Sequence, residues 1–158
     1  MSDLNLDRLR QQLGEVADPE IPVVSIADLG VLRAVEVHGD QLTITITPTY
    51  SGCPAMEHIA DRVKMIGESH GFATTVNTVF EPAWTSDWMT ETARQALEQY
   101  GIAPPRTIGE VAVELAPLRC PRCHSPNLAK ITDFGSTACK ALYRCESCLE
   151  PFDHFKEI

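Results

Sequence analysis

The chain has 158 residues, of which 44% are hydrophobic and 22% charged, a composition typical of one or two globular domains. Its net charge is −9, with −10 on residues 1–115 and +1 on residues 116–158. This acidic body argues against binding to DNA or RNA, which requires cations that displace phosphate counterions. The sequence contains no apolar run near the roughly 18 residues of a membrane helix, and its N-terminus lacks the layout of a secretory signal. We therefore expect a cytoplasmic protein that binds neither nucleic acid nor a membrane.

Helix and strand patterns alternate through the first 105 residues. Leu6, Leu9, Leu13 and Val16 recur at helical spacing, and Asn5 can cap this first helix. The order predicts an α+β domain with helices on one face of a small sheet. The elements that we expect after the first helix are strands at 31–37 and 42–47, a helix at 54–70, a strand at 73–80, and a helix from about residue 86 to residue 100; a further short strand is expected at 111–115.

Two Cys-x-x-Cys pairs, separated by 21 residues, stand near the end of the chain. Two tight turns that each supply two thiolates can surround one metal ion tetrahedrally, so this spacing predicts a zinc ribbon. A closed shell of four sulfurs leaves no open position, so the Zn²⁺ is expected to be structural. Iron or a cluster could also occupy four cysteines, and a pair of redox dithiols is the alternative. The predicted ligands are Cys120, Cys123, Cys145 and Cys148.

For three histidines, a position on the protein surface is the simplest interpretation. His124 follows Cys123 directly; it could substitute as a ligand, but a solvent-facing position is favoured. His58 and His154 are expected on the surface.

From the order of the elements and the cysteine spacing, we expect the chain to divide into an α+β domain at 1–105, a connector at 106–116 and a ribbon at 117–158.

Cys53 and Cys139 lie outside the ribbon spacing. Cys53 directly precedes the helix that Pro54 begins, where the positive end of the helix dipole favours a thiolate. Such a thiol can bind metal or act as a nucleophile, whereas a small buried cysteine is the ordinary alternative. Cys139 is expected to pack in the ribbon, with a role as a spare ligand or as a partner of Cys53 left open. The sequence contains no catalytic triad, phosphate-binding loop or dinucleotide fingerprint, so an enzyme is not expected.

Several motifs resemble known families. The acidic loop Asp18-Pro19-Glu20, residues 26–30 and residues 47–54 around Cys53 resemble the MIP-type iron–sulfur cluster assembly domain family, over roughly residues 5–105. Residues 84–89, 100–105, the four ribbon cysteines, residues 135–140 and residues 151–152 resemble the D-subunit family of the multicomponent phenylacetyl-CoA ring-epoxidising oxygenases of phenylacetate degradation.

This resemblance implies an accessory protein that helps to load an iron–sulfur cluster onto the iron–sulfur flavin reductase of that system. Cys53 would bind iron or the cluster transiently, with Cys139 or the Cys53 of a second protomer as a candidate co-ligand. The implied partners are the reductase, the other oxygenase subunits and, in a homodimer, a second copy of the chain. The alternatives are a structural oxygenase subunit without cluster chemistry, a nucleic-acid-binding ribbon protein and a thiol enzyme.

Overall fold

The computed structural model describes residues 3–106 and 117–158. It divides into two compact units, Met1–Trp84 and Thr85–Ile158. The strand expected at 111–115 lies outside the described residues. Within the described part of the chain, no helix combines the length and the apolar character needed to cross a membrane.

The first unit is an α+β fold, as the sequence predicts. Its sheet has the order β1-β2-β3, in which the β1–β2 hairpin is antiparallel and β3 runs parallel to β2. The connection from β2 to β3 is α2, so these three elements form a βαβ unit. The elements are α1 (Asp3–Gly14), β1 (Leu32–His38), β2 (Gln41–Ile46), α2 (Ala55–Ser69) and β3 (Ala73–Thr78).

The core of this unit lies between the sheet and the helices. Alternation in β2 places Leu42, Ile44 and Ile46 on the buried face, all with 0% exposure. Helix α2 packs Ile59 and Val63 against them at a spacing of four residues. The periodicity predicted from the sequence is therefore confirmed for this strand and this helix.

Helix α1 differs from its prediction at both ends. It ends at Gly14, so Val16 is buried in the loop that follows rather than on the helix. Asn5 lies inside the helix and does not cap it: its Oδ1 is 2.9 Å from Nδ1 of His70, and Oε1 of Gln12 is 2.7 Å from Nε2 of the same ring. Contacts with the residue that follows α2 thus replace the local cap that the sequence indicated.

The second unit combines a helix with the ribbon. Its elements are a 3-10 helix (Ser86–Trp88), α3 (Glu91–Tyr100), β4 (Leu128–Thr132), β5 (Lys140–Cys145) and β6 (Pro151–Phe155), and β4-β5-β6 form an antiparallel sheet. The backbone of Ala103 pairs with β6, since its N–H donates to Asp153 O (2.9 Å) and its carbonyl accepts from Phe155 N–H (2.9 Å). Residues 85–106 thus pack with the ribbon, whereas the sequence placed the domain boundary after residue 105.

The helix expected from Ser86 is in fact two helices. Ser86 starts the 3-10 turn, which ends because Met89 is extended (φ −69°, ψ 131°). Helix α3 begins at Glu91, where Thr90 Oγ1 accepts the N–H of Ala93 at 3.1 Å. It ends at Tyr100, and Gly101 follows with a φ of 91°, a conformation that favours glycine. Serine is a favoured N-cap residue, and nothing local in the sequence shows that Met89 is extended between Ser86 and α3, which explains the error.

A buried polar network joins the last residues to the rest of the second unit. Oε1 of Glu157 lies 2.7 Å from Nε of Arg106, and Oε2 lies 3.4 Å from Nε2 of His154. Burial raises the pKa of Glu157, but hydrogen bonds with His154 and Arg106 outweigh it and hold this pKa well below its usual range. His154 is only 3% exposed, so the expectation of a surface histidine is wrong at this position.

Candidate metal centre and thiol site

The four ribbon cysteines come together in the second unit. Sγ of Cys120 lies 3.7 Å from Sγ of Cys148, and Sγ of Cys123 lies 3.5 Å from Sγ of Cys145. All four sulfurs are within 4.8 Å of one another. A tetrahedral zinc–thiolate shell with Zn–S bonds of about 2.3 Å requires sulfurs about 3.8 Å apart. The donor set and its spacing therefore fit one metal ion, and Zn²⁺ is an ion that such a shell suits.

The two Cys-x-x-Cys turns have the same backbone geometry. In the first, the N–H of His124 donates to Cys120 O at 2.9 Å; in the second, the N–H of Leu149 donates to Cys145 O at 2.9 Å. Backbone N–H groups also point at the sulfurs, from Arg122 to Cys120 and from Cys148 to Cys145, both at 3.4 Å. Such N–H···S bonds stabilise negative charge on sulfur, which a metal-binding thiolate needs.

The charge state of the thiols follows from these contacts. The backbone N–H of Cys148 lowers the pKa of Cys145 to about 6. The N–H of Glu150 lowers the pKa of Cys148, but burial and the neighbouring thiols outweigh it and raise this pKa to about 12. Four close thiols cannot all ionise by themselves, because the thiolates repel one another. A bound divalent cation offsets this repulsion.

Two of the ligands also form part of the ribbon's small core. Cys120 and Cys145 have 0% exposure and cluster with Ala103 and Phe152. Few apolar side chains of the ribbon are buried besides these (Cys139, Ala141 and Phe155), so hydrophobic stabilisation is small and a bound metal would supply much of the folding free energy of this region.

Both turns place a large residue in a left-handed conformation. The φ angle is 60° at His124 and 65° at Leu149, the positions directly after Cys123 and Cys148. The His124 ring is 66% exposed, and its Nδ1 is 3.7 Å from Oε1 of Glu98. His124 does not belong to the group of ligand atoms that converge on one point, so the favoured prediction of a solvent-facing residue fits the structure.

Cys53 lies in the first unit, in the loop between β2 and α2. Its side chain is half-buried, and its N–H donates to Tyr50 O at 3.2 Å. Pro54 follows as the residue before α2 and makes no side-chain cap, so Cys53 stands two residues before the N-terminal end of the helix, where the helix dipole is positive. This position suits a thiolate, as the sequence indicated; its role stays a prediction.

The acidic loop is well ordered by its own contacts. Asp18 is only 6% exposed, and its Oδ1 accepts the N–H groups of Glu20 (2.8 Å) and Ile21 (2.9 Å). The N–H of Asp18 donates to Val24 O at 2.9 Å. Asp18 thus closes the loop, while Pro19 and Glu20 are exposed on it. The structure gives the motif residue Asp18 a loop-forming part that the sequence had left open.

Cys139 is buried in the second unit, with 7% exposure and with its Sγ 3.0 Å from Oγ1 of Thr137. It packs in the ribbon, as the sequence favoured, and it lies outside the four-sulfur cluster. Its participation in cluster binding with Cys53 stays a prediction.

The sequence did not indicate a groove in the first unit. It lies along α2 beside His58, Arg62 and Met65, which share one helix face. Their spacing of four and three residues was the available signal, but exposed residues at helical spacing usually form a solvated surface. Only the packing of α1 and the Asp18 loop against α2 turns that face into a groove.

Comparison with known proteins finds one matching family model in each of the two units. Residues 6–67 match the family model of the iron–sulfur cluster assembly proteins, and residues 108–156 match that of the PaaD zinc beta ribbon domain. The chain also resembles the crystal structure of a domain of unknown function from Bacillus anthracis, with a TM-score of 0.54 and 30% identity over 60% of this chain and 92% of that one.

Two relatives are informative. The Fe-S protein maturation auxiliary factor YitW of Bacillus subtilis (strain 168) is 36% identical over 100 residues, which cover 61% of this chain and 97% of the relative. A protein of Escherichia coli (strain K12) that is named as the D component of a 1,2-phenylacetyl-CoA epoxidase is 51% identical over 148 residues, which cover 92% of this chain and 89% of the relative. With both units matched and this extent of identity, the chain belongs to the D-component family of 1,2-phenylacetyl-CoA epoxidases, in which an iron–sulfur cluster assembly domain is joined to a zinc ribbon.

Proposed function

We propose that this protein is an accessory factor that assembles or transfers an iron–sulfur cluster for a phenylacetyl-CoA epoxidase. The observation that carries the proposal is the combination of Cys53 at the start of α2 with a domain of the iron–sulfur assembly family. Relatives named as Fe-S protein maturation factors match 85 to 100 residues of this chain, and the family model of the iron–sulfur cluster assembly proteins matches residues 6–67, which favours a function that resides in the first unit.

In this proposal, the cluster is cargo and Cys53 is its transient ligand. The thiol loses its proton as its sulfur binds iron, and the helix N-terminus stabilises the resulting thiolate. Cubane and rhombic clusters require more ligands than one cysteine supplies, so a second protomer, Cys139 or the client must complete the shell. On release, client cysteines replace the Cys53 sulfur. We propose the iron–sulfur flavin reductase of the oxygenase system as the client.

The ribbon has a different part in this proposal. Its four cysteines would hold a structural Zn²⁺, and a closed shell provides no position for substrate. The ribbon would thus serve to recognise the oxygenase subunits, while catalysis of the epoxidation takes place in partners.

Anaerobic cluster reconstitution tests the role of Cys53. We expect the wild-type protein to take up iron and sulfide and to pass the cluster to cluster-free reductase. The Cys53→Ala variant is expected to lose this uptake, whereas its zinc content stays equal to that of the wild type because the ribbon lies in the other unit. The matched control is Cys139→Ala, which separates a co-ligand from a packing residue. Equal iron in the wild type and the Cys53→Ala variant, or none in either, would refute the proposal.

A structural subunit without cluster chemistry is the second candidate, favoured by the name of the Escherichia coli relative as a component of the epoxidase. This role predicts stable, stoichiometric co-purification with the oxygenase. It also predicts that the Cys53→Ala variant supports normal cluster content in the reductase. Measurement of both quantities in cells that express the variant decides between the two functions.

A further inference from the structure

A groove of about 770 Å³ runs along the solvent side of α2. Helix α2 forms one wall with His58, Arg62 and Met65. The last turn of α1 and the loop around Asp18 form the other wall. All of these residues belong to the first unit. We refer to this feature as the α2 groove.

The acidic and the basic side chains of the α2 groove differ in whether they have hydrogen-bond partners. Its acids are engaged locally: Oε1 of Glu15 accepts from Nε2 of Gln11 at 2.8 Å, and Oδ1 of Asp18 accepts two backbone N–H groups. Its basic side chains are not, since within residues 3–106 and 117–158 the side chains of Arg62 and His58 make no hydrogen bond or ion pair. In a unit with a net charge of −7, an exposed arginine without a partner is available to a carboxylate from outside.

The α2 groove also offers apolar surface beside this cation. Met65 is 61% exposed and lies three residues after Arg62 on the same face of the helix. Val16 and Pro22 contribute apolar surface from the opposite wall. A flexible thioether adapts to different partners and is common on binding surfaces. The ligand chemistry that fits is a carboxylate next to an apolar side chain.

The α2 groove runs along α2 towards the end of the helix that carries the Cys53 thiol. Pro54, His58, Arg62 and Met65 are spaced by four, four and three residues and so form one stripe along the helix. At about 1.5 Å per residue, Arg62 lies about 12 Å along the axis from Pro54. Cys53 directly precedes Pro54, so a chain segment in the α2 groove extends towards the end of the helix that carries Cys53.

We propose that the α2 groove docks a segment of the client protein that presents an aspartate or glutamate to Arg62 and an apolar side chain to Met65. The docked segment brings the cluster-binding site of the client to the Cys53 end of α2. The client's identity rests on the proposed function, whereas the docking itself requires no cluster.

Binding of the cluster-free reductase to the cluster-free full-length chain, measured by fluorescence anisotropy at several salt concentrations, tests the proposal. We expect Arg62→Gln to weaken binding by about tenfold or more at low salt, because it removes a charge-assisted hydrogen bond. The difference from the wild type should shrink at high salt. Lys64→Gln is the matched control: it makes the same charge change on the same helix but outside the α2 groove, and its ion pair with Glu68 is exposed and long (3.9 Å).

Met65→Ser separates the apolar contribution from the charge. We expect it to weaken binding several-fold without changing the salt dependence, since burial of the thioether does not involve an ion. Equal effects of Arg62→Gln and Lys64→Gln, or no binding of the wild type at micromolar concentration, would overturn the proposal. A wild-type dimer that Arg62→Gln dissociates would also overturn it, because the occupant would then be a second copy of the chain.

The two proposals fail separately. If docking depends on Arg62 but the reconstituted wild type takes up no cluster, the docking surface stands and the cluster function is refuted. If cluster uptake depends on Cys53 but docking does not distinguish Arg62 from Lys64, the cluster function stands and the docking surface is refuted.

Discussion

Two residues of the metal centre hold backbone conformations that their side chains disfavour. His124 and Leu149 have φ angles of 60° and 65°, and a non-glycine residue in the left-handed region costs roughly 1–2 kcal/mol. Each follows the second cysteine of a turn, where the N–H must turn back to the carbonyl of the first cysteine. The unfavourable conformational free energy therefore arises when the turn forms around the metal, and it lowers the metal affinity of the ribbon.

Leu149→Gly tests this cost. Glycine removes the conformational penalty but makes the unfolded chain more flexible by roughly 0.5–1 kcal/mol, so we expect a net gain of about 0.5–1 kcal/mol. This gain corresponds to a two- to fivefold higher zinc affinity, by about 1.4 kcal/mol per factor of ten. Equilibrium competition with a chromogenic chelator measures it.

Leu149→Ala is the control for this experiment. Leu149 is 68% exposed, so both variants remove a side chain with little packing, but alanine keeps the strained conformation. Zinc affinity should rise for glycine and stay near the wild-type value for alanine. The same increase in both variants would show that the side chain, and not the backbone, lowers the affinity.

The packing of α2 against the sheet depends on a close approach at Gly67. A Cβ at this position would lie 2.6 Å from Cδ2 of Leu42 and would also overlap the side chain of Thr74. Leu42 is on β2 and Thr74 is on β3, so the glycine lets the crossover helix rest on both strands that it connects. The helix that follows Cys53 is thereby fixed on the sheet.

Gly67→Ala is expected to destabilise the first unit by about 1–2 kcal/mol. Overpacking costs roughly 1–3 kcal/mol, and the better helix propensity of alanine offsets up to about 1 kcal/mol of it. Urea unfolding followed by the fluorescence of Trp84, in a Trp88→Phe background, reports on this unit, because Trp84 is buried and donates to Leu29 O at 3.0 Å.

Gly14→Ala provides the comparison, since a Cβ there would lie 3.7 Å from that of Ala27, an ordinary contact. This variant should unfold at the wild-type urea concentration or above it. If Gly67→Ala behaved in the same way, α2 would have room to move away from the sheet, and the close approach would not fix its position.

The sequence predicted those elements whose signals lie within the element itself. The alternation in β2 and the apolar face of α2 are signals within one element, and the Cys-x-x-Cys spacing defines its own turns. Strand β6 was missed because Pro151, a residue type disfavoured within strands, starts it, and because one of its two partners, Ala103, is distant in sequence. The α2 groove was missed for the same reason: its second wall depends on how α1 and the Asp18 loop pack.

At the scale of the whole molecule, the two units differ in what stabilises them. The first unit has an apolar core between a three-stranded sheet and its helices, and among the described residues no group of potential metal ligands lies in that core. In the ribbon, Cys120 and Cys145 are at once metal ligands and core residues. Folding of the ribbon is therefore expected to be coupled to metal binding, whereas folding of the first unit is not.

Removal of the metal with a strong chelator tests this difference. We expect hydrogen exchange, measured by mass spectrometry, to become fast in β4, β5 and β6 and to stay slow in β1, β2 and β3. Added Zn²⁺ should restore protection in the ribbon, with metal content followed by elemental analysis. Protection that persists in β4–β6 after the metal is lost would mean that Ala103, Phe152 and their neighbours suffice as a core. Loss of protection in both sheets would mean that the first unit also depends on the metal, and the assignment of a structural ion to the ribbon alone would fail.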